Sequence, residues 1–226
     1  MTDIVLVHGL WADGSCWSDT IIELQTLGHK PVAAQLPLES LEDDVAAVRR
    51  TLSTIDGPVL LVGWSYGGAV ITNAAHGQDN IKALSYIAAF APDEGESVSD
   101  IAHRNPGSLL PEHLRVTEDG HSYIDRAAYG TVIAADAPAE RTALAGAVQK
   151  FPRLGIDGAP SGAPAWRELP THYLIATEDR AVPAVTQREL AARMAAQTSE
   201  WPTGHGPMYS RPQDLAAYLD TLAKGL

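Results

Sequence analysis

The run "PVLLV" (58–62) contains no polar residue, and it limits what this chain can fold into more than any other stretch. A strand with one wet face alternates apolar and polar residues. A strand buried on both faces does not, and such continuous runs belong to parallel sheets covered by helices. Comparable runs occur at "DIVLV" (3–7), "KALSYIAAF" (82–90) and "THYLIAT" (171–177). "KPVAAQ" (30–35) reads as a strand weakened by Pro31, and "SEW" (199–201) as a short one.

Helical patterns fill the gaps between these runs. They cover 16–28, closed by Gly28, then 40–55, 69–76, 184–196 and 212–223. The helix at 40–55 starts on Ser40 as N-cap, with Asp43 at the capping-box position. Alternation of this kind predicts an α/β fold, doubly wound, with a mostly parallel sheet. It stops between about residues 91 and 168, where Pro, Gly and charge accumulate. One helix is predicted there, over 137–151, followed by the return "GIDGAPSGAPAW". An insertion this long is usually functional, such as a lid. No linker or repeat argues for a second independent unit. The expected organisation is one domain, 1–226, with a core of 1–90 and 166–226 and a cap of about 91–165.

The net charge of −12 and a pI near 5.0, with no basic stripe, argue against nucleic-acid partners. Cys16 is the only cysteine, so no intrachain disulfide and no cysteine-based metal cluster can form; it reads as a packed small side chain. The start "MTDIVLVHG" has no basic segment and too short an apolar run for a signal peptide. No run approaches the ~20 apolar residues of a membrane span, so no membrane partner and a cytoplasmic location are expected.

"GWSYG" (63–67) lies between the strand at 58–62 and the helix that follows. That is the context in which G-x-S-x-G forms a nucleophile elbow, with the serine held at the carboxyl end of a strand. A serine hydroxyl needs a base. His205, in "PTGHGPMYSRP", follows the last short strand and can return to the tip of the Ser65 strand. His8, at the end of the first strand, competes, although a structural hydrogen bond suits it better. The base in turn needs an acid. "LIATEDRAVP" offers Asp179, preferred because its strand ends at Thr177, and Glu178; Asp93, after the strand at 82–90, is a further candidate. Donors for an oxyanion are expected from the backbone N–H of Tyr66 and of Leu10, in the turn after the first strand. Trp11, Trp64, Tyr66 and Met208 adjoin these positions and could line an apolar acyl site. Neither H-E-x-x-H nor clustered Cys/His spacing appears, so no metal and no cofactor are expected.

In order along the chain, "VLVHGLWADGSCW", "LPLESLEDDVAAV", "GPVLLVGWSYGGAVITNAA", "AAFAPDEGES", "PAWRELPTHYLIATEDRAVP" and "GHGPMYSRPQDL" resemble the α/β-hydrolase superfamily. Within it the chain is similar to small bacterial esterase-type hydrolases related to plant methylesterases and hydroxynitrile lyases. The resemblance implies Ser65, Asp179 and His205 as a triad, Leu10 and Tyr66 as oxyanion donors, and a helical cap over roughly 91–165. Two positions depart from the pattern. Trp64 stands where the family usually has histidine. Gly9 stands where the hydroxynitrile lyases carry threonine, which counts against cyanohydrin cleavage. The expected activity is cofactor-free hydrolysis of a small-molecule carboxylic ester, lactone or thioester. The alternatives are C–C cleavage, lyase or cyclisation chemistry on the same triad, or a receptor-like ligand-binding protein. A homodimer is compatible with the sequence.

Overall fold

The computed structural model describes residues 2–226. Six strands form one sheet: β1 (Asp3–Val7), β2 (Lys30–Ala34), β3 (Val59–Trp64), β4 (Ile81–Ile87), and, after the insertion, β7 (Thr171–Ala176) and β8 (Gln197–Trp201). Their spatial order is β2-β1-β3-β4-β7-β8, and every pairing is parallel. The strand β3, which the apolar run predicts, is buried at all six positions and lies inside the sheet.

Period-two alternation sorts the strand residues between two apolar layers. Val5, Val7, Leu61, Leu84, Tyr86 and Tyr173 face one layer. It is completed by α2 (Leu41–Leu52), α3 (Tyr66–Ala74) and α8 (Ala184–Arg193) through Val48, Leu52, Val70 and Leu190. Ile4, Leu6, Leu60, Val62, Trp64 and Leu174 face the other, against α1 (Ser18–Thr26) and α10 (Pro212–Lys224). No helix among the described residues is long and apolar enough to cross a membrane.

Several boundaries differ from the sequence-based expectation. β4 stops at Ile87 rather than continuing to Phe90. Ala88 takes a left-handed conformation (φ 45°), and the chain turns so that the Phe90 N–H bonds the carbonyl of Ser65 at 3.0 Å. The first helix is preceded by a 3₁₀ turn, Gly14–Trp17, capped by Asp13. β8 is longer than "SEW", because pairing with β7 extends it back to Gln197. Ser40 caps α2 through the Asp43 N–H, but the Asp43 carboxylate takes the Ser40 hydroxyl at 2.6 Å. A complete reciprocal capping box forms instead at Ser97 and Asp100.

The insertion mixes helices with a hairpin. It holds α4 (Val98–Ala102), α5 (Leu110–His113), the antiparallel pair β5 (Leu114–Val116) and β6 (Ser122–Ile124), α6 (Tyr129–Ile133) and α7 (Ala139–Val148). Its two ends zip together, with Gly95 N–H on Ser161 O at 2.8 Å and Ser161 N–H on Glu96 O at 2.9 Å. A last short helix, α9 (Pro207–Ser210), joins β8 to α10.

Candidate active site

Ser65 sits in the turn between β3 and α3 with φ 56° and ψ −126°, a conformation that costs a non-glycine residue about 1–3 kcal/mol. The surrounding glycines show what holds it. A Cβ on Gly63 would stand 2.6 Å from the Gly67 carbonyl, and one on Gly67 would stand 2.5 Å from the Val7 carbonyl. One on Gly9 would meet the Ser65 Cβ at 2.8 Å. The elbow and the β1 turn therefore approach more closely than any side chain permits. The Ser65 carbonyl is fixed by the N–H groups of Gly68 and Phe90, both at 3.0 Å. Its hydroxyl, by contrast, has no hydrogen-bond partner among the described residues.

His205 and Asp179 are brought together by the loops after β8 and β7. The imidazole Nδ1–H donates to Asp179 Oδ2 at 2.7 Å, with the two side chains 2% and 0% exposed. The carboxylate is held in turn by three donors. The N–H groups of Ala181 and Val182 bond Oδ1 at 2.7 and 2.8 Å, and the amide of Gln187 on α8 bonds Oδ2 at 2.8 Å. In the neutral ring this hydrogen bond places the proton on Nδ1 and leaves the Nε2 lone pair free to accept one. The other acid candidates lie elsewhere. Glu178 is exposed, and Asp93 is ion-paired at the surface with Arg167.

Trp64 is buried at 1% exposure, in the core rather than in an open cavity. Its indole N–H donates to the His205 carbonyl at 2.8 Å, and its ring lies 5.3 Å from the imidazole. Met208 is also buried; it borders a cleft with Cys16, Asp19, Arg141 and Leu144, and Ser65 does not line that cleft. Burial pushes the Cys16 thiol up, so it stays protonated. Trp11 is half-buried, with φ 55°.

Among the described residues, the backbone N–H groups of Leu10 and Tyr66 have no protein acceptor. His8 orients the first of these. It is fully buried, and burial lowers its pKa to about 4, so the ring is neutral. Nε2 accepts the Leu36 N–H at 3.1 Å, and Nδ1–H therefore donates to the Gly9 carbonyl at 2.9 Å. In a trans peptide the Leu10 N–H points opposite to that carbonyl. Tyr66 is anchored by its hydroxyl, which donates to Asp44 Oδ2 at 3.0 Å, while the Leu38 N–H bonds the other oxygen at 2.8 Å. Burial raises Asp44 to about 6.

A sequence model of the alpha/beta hydrolase family matches residues 4–218, nearly the whole chain. The chain belongs to that family. This α/β hydrolase is 35% identical to a carbendazim hydrolyzing esterase from Nocardioides over an alignment of 126 positions, half of each chain. It is 24% identical to methylesterase 2 of Arabidopsis thaliana, covering 97% of this chain and 95% of that one. Its fold matches the solved pyrethroid hydrolase of Sphingobium faniae with a TM-score of 0.82 at 23% identity, over 99% and 97% of the two chains. The plant-methylesterase branch expected from the motifs is thus represented among its relatives.

Gln187 and Asp44 were not singled out by sequence reasoning. Each is a polar residue inside an ordinary helical pattern, and only the fold shows that Gln187 meets Asp179 and Asp44 meets Tyr66. Among the described residues no group of three or more His, Cys, Asp or Glu side chains could hold a metal ion.

Proposed function

We propose that this α/β hydrolase cleaves a small-molecule carboxylic ester without a cofactor, through an acyl-enzyme on Ser65. The observation that carries the reading is the buried His205–Asp179 pair at 2.7 Å, presented at the carboxyl end of the same parallel sheet as the strained Ser65 elbow. Relatives named as esterases and methylesterases support the ester class.

In this reading His205 Nε2 takes the Ser65 proton as the oxygen attacks the ester carbonyl. Asp179 holds the ring in the required tautomer and stabilises the imidazolium. The Leu10 and Tyr66 N–H groups receive the oxyanion, and loss of one such donor costs on the order of 3 kcal/mol. The imidazolium then protonates the departing alcohol. Water, activated by the same ring, releases the acid. Apo geometries of such sites are often loose, and the Ser65–His205 bond is expected to form with substrate in place.

Rapid mixing with p-nitrophenyl acetate tests the acyl-enzyme. A burst of nitrophenol stoichiometric with enzyme is expected, followed by slower turnover; a burst of the same size in Ser65→Ala would refute it. Esters of graded acyl length would then define the substrate class.

A further inference from the structure

We infer that one cap segment, Tyr129–Asp136, positions both the loop carrying the base and the loop carrying an oxyanion donor, so that the site is competent only when this segment is seated. The inference rests on the ester-hydrolase reading and adds two positioning residues, Tyr129 and Asp136.

The base loop is Gly204–His205–Gly206. The Gly206 N–H donates to the Ile133 carbonyl at 2.8 Å, and the Gly204 N–H donates to Asp136 Oδ1 at 3.0 Å. Both flanks of His205 are therefore bonded to the cap. Two glycines give that loop wide backbone freedom. The Asp179 bond fixes the ring, but these two amides fix the backbone from which the ring projects. A Cβ at Gly204 would stand 2.8 Å from Asp136 Oδ1, so the approach leaves no room for a side chain.

The oxyanion loop is Gly9–Leu10–Trp11. The Tyr129 hydroxyl donates to the Trp11 carbonyl at 3.0 Å, and the Trp11 indole N–H donates to Ser122 Oγ of β6 at 3.2 Å. Trp11 is a non-glycine residue at φ 55°, and such a conformation persists only where surrounding contacts enforce it. Both hydrogen bonds on Trp11, at its carbonyl and its indole N–H, come from the cap. Burial holds the Tyr129 phenol far above its ordinary pKa, so it remains a donor at any working pH.

The sequence explains how one short segment reaches both loops. Helix α6 spans only Tyr129–Ile133, and Ala134 breaks it (φ −154°, ψ 66°). Tyr129, at the start, faces the β1 turn; Asp136, past the break, is turned back onto Gly204. Tyr129, Val132 and Ile133 pack in the same apolar cluster as Trp64 and Met208, which seats the segment.

The test is steady-state hydrolysis of p-nitrophenyl acetate by wild type, Asp136→Ala, Asp136→Asn and Tyr129→Phe, with amide hydrogen exchange by NMR on the same proteins. Asp136→Ala and Tyr129→Phe should each lower kcat about tenfold with KM within about twofold, the pattern of lost transition-state positioning. Asp136→Asn should recover most of the loss, because its amide oxygen still accepts the Gly204 N–H. Exchange at Gly204 should speed up in Asp136→Ala while core strands stay protected. Wild-type kcat in Asp136→Ala, a loss confined to KM, failure of Asp136→Asn to rescue, or unchanged Gly204 exchange would each overturn the inference. A wild-type protein with no ester turnover would instead sink the hydrolase reading, and the exchange data would still decide whether the clamp exists.

Discussion

The Trp64 indole N–H donates to the carbonyl of His205 at 2.8 Å, so the residue before Ser65 holds the backbone of the proposed base. Trp64→Phe keeps a ring in the cluster but leaves that carbonyl unpaired in a buried site. A loss of about 1–3 kcal/mol in stability is expected, with kcat lowered severalfold. Urea unfolding and ester kinetics on the variant check this; wild-type values in both would show that the bond is dispensable.

Asp179→Asn should lower kcat by up to ~10⁴-fold, since an amide there can favour the wrong imidazole tautomer. The same carboxylate oxygen also receives the Gln187 amide at 2.8 Å, so an NH₂ group introduced in its place would face two donors at once. Glu178→Gln and Asp93→Asn should remain near wild type, because the first is exposed and the second serves a surface pair with Arg167. Kinetics of the three variants on one activated ester compare them; a larger loss in Asp93→Asn would contradict the assignment.

Two buried groups near the elbow should oppose one another with pH. His8 is held at about 4, below its ordinary 6.5, so its contribution to stability is present above pH 6.5 and is lost as the pH falls toward 4. Asp44 is held at about 6, above its ordinary 3.8, so its contribution is present below pH 3.8 and is lost as the pH rises through 6. Each is on the order of 3 kcal/mol at 1.36 kcal/mol per unit. Asp44→Asn removes the second alone. The stability of wild type relative to Asp44→Asn should therefore decline between pH 4 and pH 7. Urea midpoints across that range measure it, and a constant difference would refute the assignment.

Dialysis against EDTA should leave ester hydrolysis unchanged, because the chemistry assigned to Ser65, His205 and Asp179 needs no ion. Loss of activity restored by one divalent metal would contradict this.

The fold was legible because its signals are local. Strand β3 follows from a continuous apolar run, and α2 from its period and its Ser40 cap. The elbow was legible because Gly63 and Gly67 must be small to let β3, α3 and the β1 turn approach. The end of β4 was not, since Ala88 carries no sequence mark of its left-handed turn. The hairpin β5–β6 was missed because three-residue strands carry too little alternation to stand out from loop. The residues that support the site were hidden for another reason. Gln187, Asp136 and Asp44 act through contacts 8, 68 and 22 residues away in sequence, with Asp179, Gly204 and Tyr66. Their neighbours in the chain say nothing about those partners.

The central claim is that Ser65 is the activated nucleophile. Its most direct measurement is intact-mass spectrometry after treatment with a fluorophosphonate, followed by peptide mapping. One adduct per chain is expected, located on Ser65, absent from Ser65→Ala and slowed strongly in a His205→Ala variant. An adduct on another residue, or none on a folded wild-type protein, would contradict the account.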